Sequence, residues 1–346
     1  MYVLVSESLP TRYVLFTLNI SEYFSSSAIM LSSVFSWLFP RWKIFLVGRI
    51  IIPIIIVQFL LIFVVEESPK WLLQKEKFQF FTDLVKKMFR ENQKNVPLEI
   101  TTAVNGLKAE KNHCNSSRTF MDIRQVFAVF RLYRTRKTAI TMISLALCWI
   151  SCVNVYYGLT FAKELFGVNV HVFFFISGFA EILASVMQLV SARFLGYKIT
   201  NFISLTFTSI FLLAAYLFPK IGPWAIGSYL FPTLAKLFIT SAFINIYLWN
   251  AQIVPTELRG IGIGVGSFFG RAVAFPLPII FNKLSSIWEP MPLIILACFA
   301  ILSAFASFNL PETYNIIAPD TLSEFEALDT ASYSQIKTKR LQMLND

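Results

Sequence analysis

Residues Met291 to Leu310 read MPLIILACFAILSAFASFNL, twenty positions without one Asp, Glu, Lys or Arg, bounded by Glu289 and Glu312. A helix rises 1.5 Å per residue, so about 20 apolar residues cover the roughly 30 Å hydrocarbon core of a bilayer. Helices on the surface of a soluble domain keep a polar face, and this stretch has none. Working outward, comparable runs lie at 13–39, 44–64, 139–160, 169–190, 199–218, 223–249 and 260–281, with 289–309 as the eighth. The first is the most polar, because Asn19, Glu22 and Ser25 to Ser27 fall inside it. Only 14% of the 346 residues are charged, against about 25% in an ordinary soluble domain. The chain reads as an all-α polytopic membrane protein with about eight transmembrane helices.

The net charge of +10 raises a nucleic-acid reading, since basic surfaces neutralise phosphates. The distribution argues against it. Residues 66–137 hold 15 Lys and Arg against 8 Asp and Glu, as basic cytosolic loops of membrane proteins do. Helical patches lie there around Trp71–Lys77 and Phe80–Arg90. Threading the remaining loops alternately places 22 basic residues inside and 5 outside, with Arg49, Lys236 and Arg271 in spans. Both termini are therefore expected in the cytosol. The four cysteines have no framework spacing, and His113 and His171 are remote from acidic or thiol clusters, so neither a metal nor a cofactor is expected. The N-terminus, MYVLVSESLP, has no basic region or small-residue cleavage site of a signal peptide.

An internal repeat organises the spans. Glu7-Ser8-Leu9-Pro10-Thr11 precedes the first span and Gln252-Ile253-Val254-Pro255-Thr256 precedes the seventh, 245 residues later. Glu67-Ser68-Pro69 follows the second span and Leu310-Pro311-Glu312-Thr313 follows the eighth, at an offset near 242. Two matches at one spacing imply two related halves, the second complete with six helices. Parallel halves of six helices build one large class of secondary transporters. Four units follow: 1–65, the last two helices of a first bundle; 66–137, a basic cytosolic loop; 138–310, a complete six-helix bundle; and 311–346, a cytosolic tail. The chain is expected to begin partway through the first half.

Several blocks resemble known transporters. Glu67-Ser68-Pro69-Lys70-Trp71-Leu72-Leu73 is similar to the block after helix 6 of the major facilitator superfamily, and Asn309-Leu310-Pro311-Glu312-Thr313 to the block after helix 12. Val155-Tyr156-Tyr157-Gly158-Leu159 resembles the end of helix 7 in the organic cation/anion/carnitine transporters of solute carrier type. The paired glutamines of sugar porters are missing there. Ser177 to Ala184 is similar to that family's helix 8 stretch, with Leu183 in place of its proline. Ile253 to Thr256, Arg259, Gly262, Gly264, Gly266 and Ser267 resemble its block entering helix 11, with Gln252 where Glu is usual. Ala192 to Lys198 keeps the Gly and one basic end of the helix 8–9 gate motif and lacks its Asp. The resemblance implies the major facilitator fold, helices 5–12, in an N-terminally truncated chain without the large glycosylated external loop. The sequon at Asn115 lies in the cytosolic loop and is expected unmodified.

Ionisable residues inside a span are costly and usually face a cavity or a partner. Arg271 sits about eleven residues into its helix, near mid-bilayer. Two readings stay open for it: an internal salt bridge, for instance with Glu181, or a cavity cation that attracts a substrate carboxylate. The resemblance favours the second, because organic anion and carnitine transporters carry Arg at this place and cation transporters tend to carry Asp. Lys236 reads equally as cavity lining or a structural pair. Tyr156 and Tyr157 offer aromatic faces and hydroxyls to a substrate, or anchor a span end. Glu181, Arg193, Gly196, Arg259, Glu67 and Glu312 are candidate gating or structural residues. Gly262, Gly266 and Gly270 recur at i, i+4, which permits close helix packing, and Pro276 and Pro278 break or kink the same helix. No nucleophile–base pair or paired catalytic carboxylates appear, so an enzyme is not expected. The expected function is alternating-access transport of small organic anions or zwitterions such as carnitine-like substrates, in the plasma membrane. The alternatives are a sugar-porter-like carrier and a truncated, non-transporting membrane protein or regulatory fragment; with the first four helices absent, a complete cavity would need another chain to supply them. The expected partners are a small organic ion and the lipid bilayer, with no nucleic acid.

Overall fold

The computed structural model describes residues 11–39, 46–64, 77–93, 132–133, 135–161, 169–217, 227–255 and 258–314, with a few isolated positions besides. The repeat block at 7–10, the side chains of Arg12 and Arg49, the sequon at Asn115 and most of the tail lie outside the described residues. In hydrocarbon every backbone N–H and C=O must be paired within the protein, which leaves helices as the economical way to cross. The described residues are accordingly helical. They form α1 (Thr11–Leu38), a π-helical turn (Leu46–Ile51) running into α2 (Ile52–Val64), and α3 (Phe78–Glu91). Then come α4 (Arg136–Phe161), α5 (Val170–Leu217), α6 (Gly227–Ile253), α7 (Arg259–Ala274), α8 (Leu277–Ile287) and α9 (Met291–Ala306).

Among the described residues five helices are long and apolar enough to cross a membrane: Arg136–Phe161, Val170–Leu217, Leu230–Ile253, Arg259–Ile287 and Met291–Asn309. The 48-residue α5 is two spans, because Gly196 at φ +79° and ψ 176° leaves the helical region and turns the chain back. Its two arms match the expected runs at 169–190 and 199–218. The expected run at 260–281 is likewise interrupted, where Pro276 caps α8 without an N–H to continue α7. Six spans between 136 and 309 thus form one bundle, with α4 packed against α6, α7 and α9, and α5 against α6 and α9. Its core includes Trp149, Cys152, Leu205, Ile239, Trp249 and Leu296, all fully buried.

The helix α1 packs along α5. Asn19 donates to Gln188 at 3.3 Å and the Ser33 hydroxyl donates to the His171 carbonyl, so polar groups of α1 meet polar groups of the first arm of α5. The described side chains of α2, by contrast, are all exposed, an apolar surface suited to lipid.

Glycines set the closeness of α7 to α4. A Cβ on Gly266 would stand 2.8 Å from Cδ1 of Trp149, and one on Gly270 would stand 2.8 Å from Cγ2 of Val153. The close approach lets the Asn154 amide donate to the Gly270 carbonyl at 3.3 Å. Gly262 meets Val254 in the same way, at 3.0 Å, whereas Gly260 and Gly264 face open space. Gly266→Leu or Gly270→Leu is expected to cost about 1–3 kcal/mol by overpacking, and Gly264→Leu to cost far less. Thermal unfolding of the purified variants in detergent checks the order; equal melting points for all three would show that the helices are not in register at these glycines.

Candidate functional site

Three polar centres in the bundle involve charged side chains. The first is a buried ion pair. Lys236 of α6 lies 3.4 Å from Glu181 of α5, and their side chains are only 4% and 6% exposed. Tyr156 of α4 donates its hydroxyl to Glu181 at 2.6 Å. The Lys236 ammonium sits 3.2 Å from the centre of the Tyr156 ring and reaches Thr160 Oγ1 at 3.3 Å. Each charge therefore has its opposite, plus hydrogen bonds and a π-face, which is what a charge taken out of water requires. Glu22 of α1 is near enough to act electrostatically on Tyr156.

The second centre is a wall shared by α4, α6 and α7. Arg271 is exposed on α7 and donates to the Ser267 carbonyl at 3.4 Å and to the Tyr247 hydroxyl at 3.3 Å. Tyr247 stands edge-on to Trp149 at 4.5 Å between ring centres and to Phe243 at 5.2 Å. Phe243 stacks on Tyr156 at 5.0 Å, and Tyr156 meets Tyr157 edge-on at 5.3 Å. Aromatic pairs at 4.5–7 Å hold one another in place beyond their area burial. The result is a continuous aromatic strip with a guanidinium at one edge and a closed ion pair behind the other. Among the described residues no acidic side chain pairs with Arg271, so its charge is held by neutral oxygens.

The third centre lies at the turn between the arms of α5. The Glu312 carboxylate accepts the N–H groups of Tyr197 at 3.0 Å, Lys198 at 2.9 Å and Tyr314 at 2.9 Å. It caps the start of the second arm, where the helix leaves N–H groups unpaired and a carboxylate is favoured. Gly196 is required twice over: its φ is +79°, and a Cβ would fall 2.6 Å from the carboxylate oxygen. Arg193 is exposed, Arg259 is buried and Glu67 is exposed.

The family of sugar (and other) transporters matches residues 3–322. The chain belongs to this family. It is similar to the organic cation transporter protein of Drosophila melanogaster, 29% identical over 326 residues, covering 94% of this chain and 58% of that protein. Solute carrier family 22 member 3 of Mus musculus is 26% identical, with coverage of 93% and 55%. The beta-alanine transporter of Drosophila melanogaster is 26% identical, with coverage of 94% and 52%. The chain thus spans a little over half the length of the curated relatives it matches. The structure of the major facilitator superfamily proton:xylose symporter XylE superimposes with a TM-score of 0.69 at 18% identity, covering 94% of this chain and 70% of that one. The fold is that of the major facilitator superfamily, an integral membrane fold, and family and fold are those of transporters rather than enzymes.

Residue by residue, the structure separates what the sequence grouped. Lys236 is 3% exposed and committed to Glu181, so of its two open readings the geometry shows the structural pair. Glu181 is engaged with Lys236 rather than with Arg271, as the salt-bridge reading had it. Tyr156 belongs to the ion pair, whereas Tyr157 lies close enough to Arg271 to interact with it. Sequence reasoning passed over Tyr247, Phe243 and Trp149. Their signal is periodic: Lys236, Phe243 and Tyr247 recur at i, i+7 and i+11, and Trp149 and Tyr156 at i, i+7, each set on one helical face.

Removing one member of the buried pair strands the other. Lys236→Met is expected to destabilise the bundle by about 3–5 kcal/mol. Combining it with Glu181→Leu is expected to recover most of that loss, since a neutral, well-packed pair needs no compensating charge. Detergent melting curves of the single and double variants form the cycle; additive losses would deny the coupling. At the turn, Glu312→Ala leaves three N–H groups without their acceptor, at about 1–3 kcal/mol. Trypsin cleavage at Arg193 is expected to accelerate several-fold, and an unchanged rate would mean the cap does not hold the turn.

Proposed function

We propose that this chain takes part in transmembrane carriage of small organic ions and that the Arg271–Tyr247 edge of the aromatic strip receives the carboxylate or sulfate of an organic anion or zwitterion. The observation that carries this reading is Arg271 itself, an exposed guanidinium on a span, held by neutral oxygens while every charge of the neighbouring pair is already matched. A guanidinium presents a planar fork that suits a carboxylate in two parallel hydrogen bonds. The flanking rings supply apolar faces for the rest of the substrate, so binding needs both an anion and a hydrophobic body. Alternating access follows from rocking of two helix bundles about a central site, with both termini in the cytosol of a plasma-membrane protein as the charge bias favours.

A second reading has its own support. Relatives at 24–29% identity include an organic cation transporter protein and solute carrier family 22 members 2 and 3. The ring of Tyr156 already holds one ammonium, that of Lys236, with Glu22 and Glu181 nearby. An organic cation would use that end of the strip.

The two readings separate in one experiment. Cells or vesicles bearing the chain take up a labelled aryl carboxylate or a labelled tetraalkylammonium, with surface expression confirmed. Arg271→Asp is expected to lower carboxylate uptake by at least about tenfold, the loss of one charge-assisted contact pair, with Arg271→Lys retaining part of it. Uptake of the ammonium alone, undiminished in Arg271→Asp, would transfer the proposal to the cation. Uptake of neither above background would favour the non-transporting reading for this length of chain.

A further inference from the structure

Outside the transport strip, the feature with the most to explain is α3. Its sequence, FQFFTDLVKKMFRE, follows the end of α2 at Val64 by 13 residues and precedes α4 by a long basic stretch. At 3.6 residues per turn, Phe81, Leu84, Val85, Met88 and Phe89 fall within an arc of about 140°, and Lys86 and Lys87 lie about 60° beyond its two edges. No side chain of α3 is buried, so among the described residues nothing covers this arc to the depth of a core contact. Between Lys70 and Lys94 there are seven basic residues against three acidic ones. An apolar face rimmed by cations, tethered close behind a transmembrane span, has the make-up of a helix that lies in the plane of a membrane surface. Its charge complements the anionic headgroups of a cytosolic leaflet, which is the side the loop's basic excess assigns to it.

We infer that α3 docks on the anionic lipid surface beside the bundle, its apolar arc entering the headgroup boundary and Lys86 and Lys87 contacting lipid phosphate or carboxylate. The helix would then anchor the connection between the two bundles to the membrane. Thirteen residues span at most about 45 Å when extended, so the end of α2 holds α3 within reach of the leaflet. Docking rests on two contributions of different kind. Apolar burial is independent of salt, whereas the headgroup attraction fades as ionic strength rises.

The test uses the full chain reconstituted in phosphatidylcholine alone or phosphatidylcholine mixed with phosphatidylserine, followed by hydrogen exchange of the peptide covering 78–91. Exchange is expected to slow by about tenfold in the serine-lipid membrane, and the difference is expected to shrink at high salt. The double variant Lys86→Glu, Lys87→Glu is expected to lose the difference while peptides of α4 and α9 exchange as before, which shows the bundle intact. Equal exchange in both membranes would overturn the proposal. So would protection that persists in the double variant, because the apolar arc would then be seated on protein.

Discussion

The ion pair of Lys236 with Glu181 is the constraint from which the rest of the bundle's polar geometry follows. It joins α5 to α6 directly, and through Tyr156 and Thr160 it adds α4. A charge in a low-dielectric interior has no alternative partner to move to, so the rotational setting of three helices is fixed together. That setting places Phe243 and Tyr247 one and two further steps along the same face of α6, and Trp149 and Tyr156 along one face of α4. Arg271 then takes its position from Tyr247. Were α6 rotated by one residue, about 100°, the aromatic strip and the arginine's partner would turn away together.

The end of the bundle at the turn between the arms of α5 is built by different means. A gate made of charged side chains needs both an acid and a base, and the turn between the arms of α5 lacks the acid. Here the acid comes from a distance of more than a hundred residues: Glu312 pairs with backbone N–H groups instead of with a side-chain cation. Backbone donors do not depend on which residue occupies the position, which makes the contact insensitive to the side-chain departures in residues 192–198. Trp249 extends the join by donating its indole N–H to the Pro311 carbonyl at 3.0 Å. What the contact does depend on is the absence of a Cβ at Gly196.

Much of this is legible in the sequence. The six spans between 136 and 309 follow from hydrophobic length alone, since the bilayer permits little else. The break at Pro276 and the close packing at Gly266 and Gly270 follow from local covalent chemistry. The polar centres divide differently. Arg271, Lys236 and Glu181 stand out because charge in a span is costly, yet their pairing was not legible. Pairing depends on helix rotation and vertical register, and three ionisable groups on three helices permit more than one match. Tyr247 and Phe243 were missed for another reason. Among 36 Phe and 12 Tyr, a functional aromatic looks like lipid-facing bulk until a charged neighbour on the same face marks it.

One polar thread runs through the fold from the first span to the Glu312 cap. Asn19 of α1 donates to Gln188, Gln188 donates to Asn245 at 3.4 Å, and Asn245 donates to the Tyr197 carbonyl at 2.9 Å. Tyr197 is in turn held by Glu312 through its N–H and by Gln252 through its hydroxyl. Every link but the first lies within the six-span bundle and its C-terminal block, and the first crosses to α1. If α1 shifts against α5, the Asn19–Gln188 contact must yield, as must that of Ser33 with the His171 carbonyl, because the other links of the thread join elements tied by the ion pair and the cap. A long 3.3 Å hydrogen bond between neutral amides is inexpensive to exchange, of the order of 1 kcal/mol. The face that α1 shares with α5 is therefore joined through a hydrogen bond that can be remade, and the six-span bundle beside it through contacts that cannot.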